Sequence, residues 1–404
     1  MTADICERLG VRRWINAGGY LTRMGGAPLA PEVLEAMRAV SRESVDLSEL
    51  QAAASAAIVP HTGTEAAIVT SGAAAALTLA SAAVIARLDA APMDRLPDTA
   101  GMANEIVMHR THRSSYDHAI RAAGARIAAF GVNDIGLDAG FRGIEAWDAE
   151  AAVTEATVAF AFAASPRNLR DLETVAKVAD RHGLPVIADA APWLPPAENL
   201  RRFSDAGATL VAFSGGKALG APGGTGILSG PRDLIASALL QQIDMTTLPE
   251  TWHPPAGLVP REKLTGMPRH GIGRGLKVSK EDIAGLVAAL ELFITADQSA
   301  VLAKQEALLA DVSRALATIG GVVTQLRNVA ETGLRPLLDL KVDEAALGRT
   351  CVDISNALKT GAPPIQLDES GIRAGILTVD PACLHPDDAP LLVERLQSVL
   401  DKPG

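Results

Sequence analysis

The chain has 404 residues, 48% hydrophobic and 21% charged, which is too apolar for disorder and long enough for a large domain plus a smaller one. Lys and Arg total 37 against 47 Asp and Glu, and the net charge of −10 excludes a globally basic nucleic-acid surface; 3% aromatics leaves little for base stacking. Cys6, Cys351 and Cys383 are too few and too scattered for a disulfide framework or a CxxC metal site, and MTADICERLGVRRW has no apolar leader, so a reducing, cytoplasmic setting is expected.

Residues 1–30 read as an N-terminal arm, irregular up to Gly25-Gly26. Pro31 opens a helix over 31–42, since proline is favoured in a first turn. A second helix is expected over 47–59, stopped by Pro60. Short apolar runs then mark strands at 67–70, 105–108, 126–130, 157–163, 185–189, 209–213 and 226–229. Helices fit between several of them, at 72–87, 115–123 and 169–182. The uncharged stretch 67–86 is Ala-rich and carries Thr70, Ser71, Gly72, Thr78 and Ser81, so it reads as strand, turn and buried helix, not as a membrane span. Alternating strands and helices imply an α/β fold with a mostly parallel, seven-stranded sheet covered on both faces. The Pro- and Gly-rich segment 250–274 reads as a long loop. Helix 279–297, strand 335–342, helix 344–359, strand 375–379 and helix 387–400 complete the chain as a smaller α+β domain. The expected division is an arm 1–30, a large domain 31–285 and a small C-terminal domain 286–404.

Three features fall at the ends of expected strands, where open α/β sheets bind their ligands. Ser71-Gly72-Ala73 turns a strand into an Ala-rich helix, and the free N–H groups there suit a phosphate or a plain N-cap. Asp189 ends the apolar run PVIAD; its charge needs a partner, which a protonated ring nitrogen or a structural cation would supply. Lys217 follows Ser214-Gly215-Gly216 in a glycine-rich turn, where it is either a surface lysine or a cleft amine able to bond an aldehyde carbon. Taken together, phosphate cup, acid and amine form the set of partners that pyridoxal 5'-phosphate requires.

The blocks INAGGYLTRMGG, Glu49-Leu50-Gln51, HTGTEAAIVTSGAAAAL, HRTHRSSYDHAIRAAGARI, VIADAAPW, SGGKALGAPGGTGIL, GMPRHGIGRGLKVSKEDI and GAPPIQLDE resemble, in order and spacing, the fold-type I pyridoxal-phosphate enzymes. Within them the chain is similar to the selenocysteine-synthase-like group, which includes ammonia-lyases. The resemblance implies that Lys217 bonds the cofactor aldehyde and Asp189 pairs with the ring nitrogen. It implies that Ser71, Gly72, Ala73 and Ser214 hold the phosphate, and that His112 lies over the ring. Arg274 and Lys277 match a basic element expected to bind a substrate anion; their bland alternative is a solvated helix start. Arg23 and Arg373 are weaker candidates for a substrate carboxylate, and Arg335 is expected to be structural. A metal site at His109 and His112 lacks a nearby carboxylate or thiolate to complete it, so no metal is expected.

What the resemblance implies is a lyase that eliminates across Cα and Cβ of a hydroxylated amino acid, sugar-derived or phosphorylated, releasing ammonia and a 2-oxo acid. Racemisation or transamination of a small amino acid is the alternative, and a selenium transferase acting on seryl-tRNA is a remote one, disfavoured by the acidic charge. No nicotinamide fingerprint G-x-G-x-x-G follows the first strand. The expected partner is a small amino acid, with neither nucleic acid nor membrane. A homodimer or larger homo-oligomer is implied, with the arm or the 250–274 loop crossing to the partner.

Overall fold

The computed structural model describes residues 5–132 and 143–401; the first four residues of the expected arm and the last three of the expected small domain lie outside them. Along the chain come β1 (Ile15–Ala17), then β2 (Ala66–Thr70), β3 (Glu105–His109), β4 (Arg126–Phe130), β5 (Thr157–Ala163), β6 (Val186–Asp189), β7 (Leu210–Ser214) and β8 (Gly226–Gly230), and finally β9 (Val322–Arg327), β10 (Leu337–Val342), β11 (Ile365–Leu367) and β12 (Ile376–Val379). The described residues pack as two compact units.

Residues 29–295 form the larger unit around a seven-stranded sheet of order β2-β8-β7-β6-β5-β3-β4. β8 runs antiparallel to both neighbours and the other pairings are parallel. Adjacent residues along a strand feed opposite faces: Val69, Phe160 and Phe213 join one apolar core, while Ile68, Ala161 and Leu228 join the other. Helices cover both faces, which is why the central strands carry almost no polar side chains.

Edge strand β2 owes its place to helix Leu47–Thr62. Buried Gln51 donates to the Val69 carbonyl (2.8 Å) and accepts from the Val69 N–H (2.9 Å), and Ser55 accepts from Ala67 N–H (2.9 Å). Two side chains thus complete the hydrogen bonding of an edge that would otherwise be open. Contrary to expectation, Pro60 does not stop this helix, which runs on to Thr62 and ends at Gly63 with φ +66°. A proline in a last turn forfeits a single intrahelical bond, and tertiary packing of Ile58 outweighs that.

Residues 1–28 pack with 296–404 as the smaller unit. β1 pairs in parallel with β11, and β12-β10-β9 form an antiparallel sheet. Its core includes Leu309, Leu340, Ile354 and Leu396. The helix expected over 344–359 is two helices, Glu344–Leu347 and Cys351–Thr360. Gly348 at φ +62° ends the first, and a capping box between Thr350 and Asp353 starts the second.

Candidate active site

Register places the sequence-predicted groups at one end of the sheet. Thr70 of β2 faces Gly226 of β8, and Gly226 faces Ser214 of β7. Two residues before Ser214, Ala212 faces Asp189 of β6, which in turn faces Ala163 of β5. The turns after β2, β7, β6 and β3 therefore open on the same end of the sheet, the carboxyl end of its parallel strands.

The Ser71-Gly72 turn leads into helix Ala73–Ala86. Gly72 has φ +94°, and no side chain caps the helix, so the N–H groups of its first turn point outward unpaired within the helix. Below them β8 passes so close that a Cβ at Gly226 would lie 2.6 Å from the Gly72 carbonyl carbon and 2.8 Å from Ala73 N. The cup keeps its shape only because position 226 has no side chain. The Ser71 hydroxyl donates to the Leu276 carbonyl at 2.8 Å, which leaves its lone pairs free to accept and its backbone free to line the cup.

Lys217 lies in the turn after β7, half-buried. The Gly215 N–H bonds Thr225 O (2.8 Å) and the Ala221 N–H bonds Gly215 O (3.0 Å), folding residues 215–225 back on themselves. A Cβ at Gly216 would come 2.6 Å from Gly223 Cα, so the loop closes only with glycine there. Asp189 Oδ1 accepts from Ala191 N–H at 3.0 Å. Burial pushes the Asp189 carboxyl above the usual range, against the opposing effects of that hydrogen bond and of the Lys217 charge. Lys217 is thus within electrostatic reach of Asp189.

His112 ends the 3-10 turn Arg110–His112 after β3 and stands edge-on to Phe162 of β5, 4.3 Å between ring centres. It lines a cavity of about 30 Å³ together with Asp189 and Phe162. Its Nδ1 is buried with no hydrogen-bond partner among the described residues. Burial lowers its pKa to about 4, helped by His109, so the ring is neutral at physiological pH. His109 packs against Phe130 and bonds the Thr111 hydroxyl at 2.7 Å. Among the described residues no group of three His, Cys, Asp or Glu is arranged to hold a metal.

These observations fit pyridoxal phosphate. An uncapped helix start over a glycine cradle suits a phosphate, a buried acid of raised pKa suits a ring N–H, and an orphaned imidazole nitrogen suits a polar group on the ring.

The basic candidates fare differently. Arg274, in the 3-10 helix Ile272–Leu276, is ion-paired with Asp244 at 3.1 Å, while Lys277 is exposed. Arg23 and Arg373 belong to the smaller unit, each exposed in its own 3-10 turn. In that unit Arg335 forms a buried, two-pronged pair with Asp380 and lies over the Tyr20 ring at 4.8 Å, a structural arrangement. Sequence reasoning missed Gln242, which donates to the same Leu276 carbonyl at 3.1 Å, and Asp244. A signal for Gln242 was a Gln-Gln pair ending an apolar segment before the 250–274 loop.

Residues 49–242 match the model of the DegT/DnrJ/EryC1/StrS aminotransferase family. The chain is 29% identical over 409 residues to a D-glucosaminate-6-phosphate ammonia lyase of Salmonella typhimurium, covering 99% of each. It is 31% identical over 407 residues to a 5'-C-glycyluridine monooxygenase-decarboxylase of Streptomyces sp, covering 98% of this chain and 91% of that one. A solved structure of D-glucosaminate-6-phosphate ammonia-lyase superposes with a TM-score of 0.80 at 28% identity, over 100% of both chains.

Proposed function

Because the chain belongs to the fold-type I pyridoxal-phosphate-dependent enzymes, we propose that it is an ammonia-lyase that converts a hydroxylated, sugar-derived amino acid to a 2-oxo acid and ammonia. The observation that carries this is the convergence at one end of the sheet of the Thr70–Gly226–Ser214 row, of Asp189 on the neighbouring strand opposite Ala212, and of Lys217 in the turn after β7. The ammonia-lyase similarity over the whole chain supports the choice of reaction.

Once bound, pyridoxal phosphate supplies an electron sink that acidifies the proton on the substrate's Cα. The Ser71-Gly72-Ala73 cup and the Ser214 hydroxyl would hold its phosphate. Asp189, whose buried carboxyl needs a cationic partner, would pair with the ring N–H and favour the charge on that nitrogen. His112, neutral, would lie against the cofactor and keep water from it. Lys217 would hold the cofactor by its aldehyde carbon, and its Nζ is the base that would take the Cα proton and give a proton to the hydroxyl that leaves Cβ as water. Water then replaces the nitrogen, so one hydroxyamino acid yields one 2-oxo acid and one ammonia.

Racemisation and transamination share the proton removal but not the loss of the hydroxyl, and nothing in the site favours them. Seryl-tRNA chemistry stays disfavoured by the net charge of −10. Oxidative decarboxylation of a glycyl group is a second reading, favoured by the 31% identical relative. The reading also makes the protein a cytoplasmic homodimer or larger homo-oligomer; among the described residues no single helix is long and apolar enough to cross a membrane.

The test is a panel of 3-hydroxy amino acids, including sugar-derived ones, given to protein loaded with cofactor. Equal release of 2-oxo acid and ammonia without oxygen uptake is expected. Oxygen consumption with release of CO₂ would select the second reading, and no product from any member would sink the lyase.

A further inference from the structure

The basic element after the 250–274 loop does not offer two free cations. Arg274 Nη2 donates to Asp244 Oδ2 at 3.1 Å. Asp244 is itself fixed: its Oδ1 accepts from Thr246 N–H at 2.7 Å, and the Thr246 hydroxyl together with that N–H brings the carboxyl down to about 2. The hydroxyl is held in turn by His270, whose Nε2 lies 3.3 Å from it. His270 Nδ1 accepts from Met245 N–H at 3.2 Å, which leaves the ring proton on Nε2 to donate to Thr246. Residues 244–246 and 270–274 thereby close into a ring of hydrogen bonds around one ionised carboxylate and one guanidinium, whose charges cancel.

This ring is anchored at the phosphate cup. Leu276, two residues after Arg274, gives its carbonyl to both Ser71 (2.8 Å) and Gln242 (3.1 Å). Gly271 and Gly273 let the segment lie against helix Arg232–Gln242, since a Cβ at either would press on Gln241 at under 3.0 Å. The Asp244–Arg274 pair, though partly exposed, is therefore fixed by its neighbours beside the segment that reaches the phosphate cup.

A guanidinium already matched by a carboxylate gains little from a second anion, and ionised Asp244 repels one. Neighbouring hydroxyls suit the pair better: one accepts from the Arg274 N–H and the next donates to Asp244. We propose that the Asp244–Arg274 pair reads uncharged hydroxyls on the substrate's carbon chain, so that this enzyme takes an unphosphorylated, polyhydroxylated amino acid. The single anionic group is left to Lys277, which is exposed and has no ion pair among the described residues. The inference rests on the lyase reading of the site and gives this chain a different specificity from a relative whose name specifies a 6-phosphate.

The experiment is calorimetric titration of the cofactor-loaded protein with gluconate and with 6-phosphogluconate, for the wild type and Asp244→Asn. The wild type is expected to bind gluconate at least as tightly as 6-phosphogluconate. Asp244→Asn is expected to gain about tenfold for the phosphorylated ligand and lose about tenfold for gluconate. A wild-type preference of tenfold or more for 6-phosphogluconate overturns the proposal, as does binding of neither ligand or an equal weakening of both in the variant. The wild-type ratio decides the matter even where the variant folds poorly. Binding requires no turnover, so a preserved gluconate preference with no elimination would count against the lyase reading alone.

Discussion

His112 shows how burial assigns a role at the scale of one side chain. Its ring sits against Phe162 with an unpartnered Nδ1, and desolvation takes its pKa from 6.5 to about 4. The unfolded chain therefore binds a proton that the folded one does not between about pH 4 and 6.5. Stability from this group is full above the unfolded value and is lost as pH falls through that window. His112→Asn removes the linkage. Urea unfolding of the cofactor-free protein at pH 7 and pH 5 is expected to show the wild type losing on the order of 2 kcal/mol more than the variant. Equal losses would mean that the imidazole titrates freely. The residue was singled out in the sequence by the resemblance of HRTHR to a family block, whereas its isolation from any partner is a tertiary fact that no spacing encodes. Asp244 was not legible for the same reason: 30 residues separate it from Arg274, and a Pro/Gly-rich loop between them leaves no period to read.

At the scale of elements, all seven strands of the large sheet were legible, because each is a short apolar run bounded by a helix or a glycine-rich turn. The cause of the edge was not. Gln51 reads as a polar residue in an Ala-rich helix, yet both its amide atoms serve Val69 of β2. Gln51→Leu leaves a buried N–H and C=O unpaired and is expected to cost about 2–4 kcal/mol in a denaturant titration. A loss below 1 kcal/mol would show that β2 is held by β8 alone. Gly226→Ala places a methyl group against the Gly72-Ala73 cup. It is expected to weaken pyridoxal-phosphate binding to the cofactor-free protein at least tenfold, as read by absorbance titration, while its effect on folding stays smaller. Unchanged affinity would remove the cup from the phosphate site. Helices misread at Pro60 and Gly348 have local causes: a proline tolerated in a last turn, and a left-handed glycine followed by a capping box.

For the whole molecule, the pairing of β1 with β11 joins residues 15–17 to residues 365–367 and was invisible in sequence, since parallel pairing between such distant segments leaves no turn signal. The consequence is that residues 1–28 pack with the C-terminal segment, whereas every proposed cofactor residue lies in the 29–295 unit. Cofactor added at about 100 times its Kd stabilises the state that binds it by about 2.7 kcal/mol. Scanning calorimetry is therefore expected to show the transition of the larger unit moving up by several degrees on loading. An unmoved transition would place the cofactor elsewhere.

The central claim is that Lys217 bonds the cofactor at the end of the Thr70–Gly226–Ser214 row. Borohydride treatment of the loaded protein, followed by peptide mass mapping of wild type and Lys217→Ala, tests it most directly. The account predicts a yellow protein whose visible band disappears on reduction, with one pyridoxyl-phosphate mass fixed on Lys217 and none on the variant. A protein that takes up no cofactor, or one labelled at a different lysine, would contradict it.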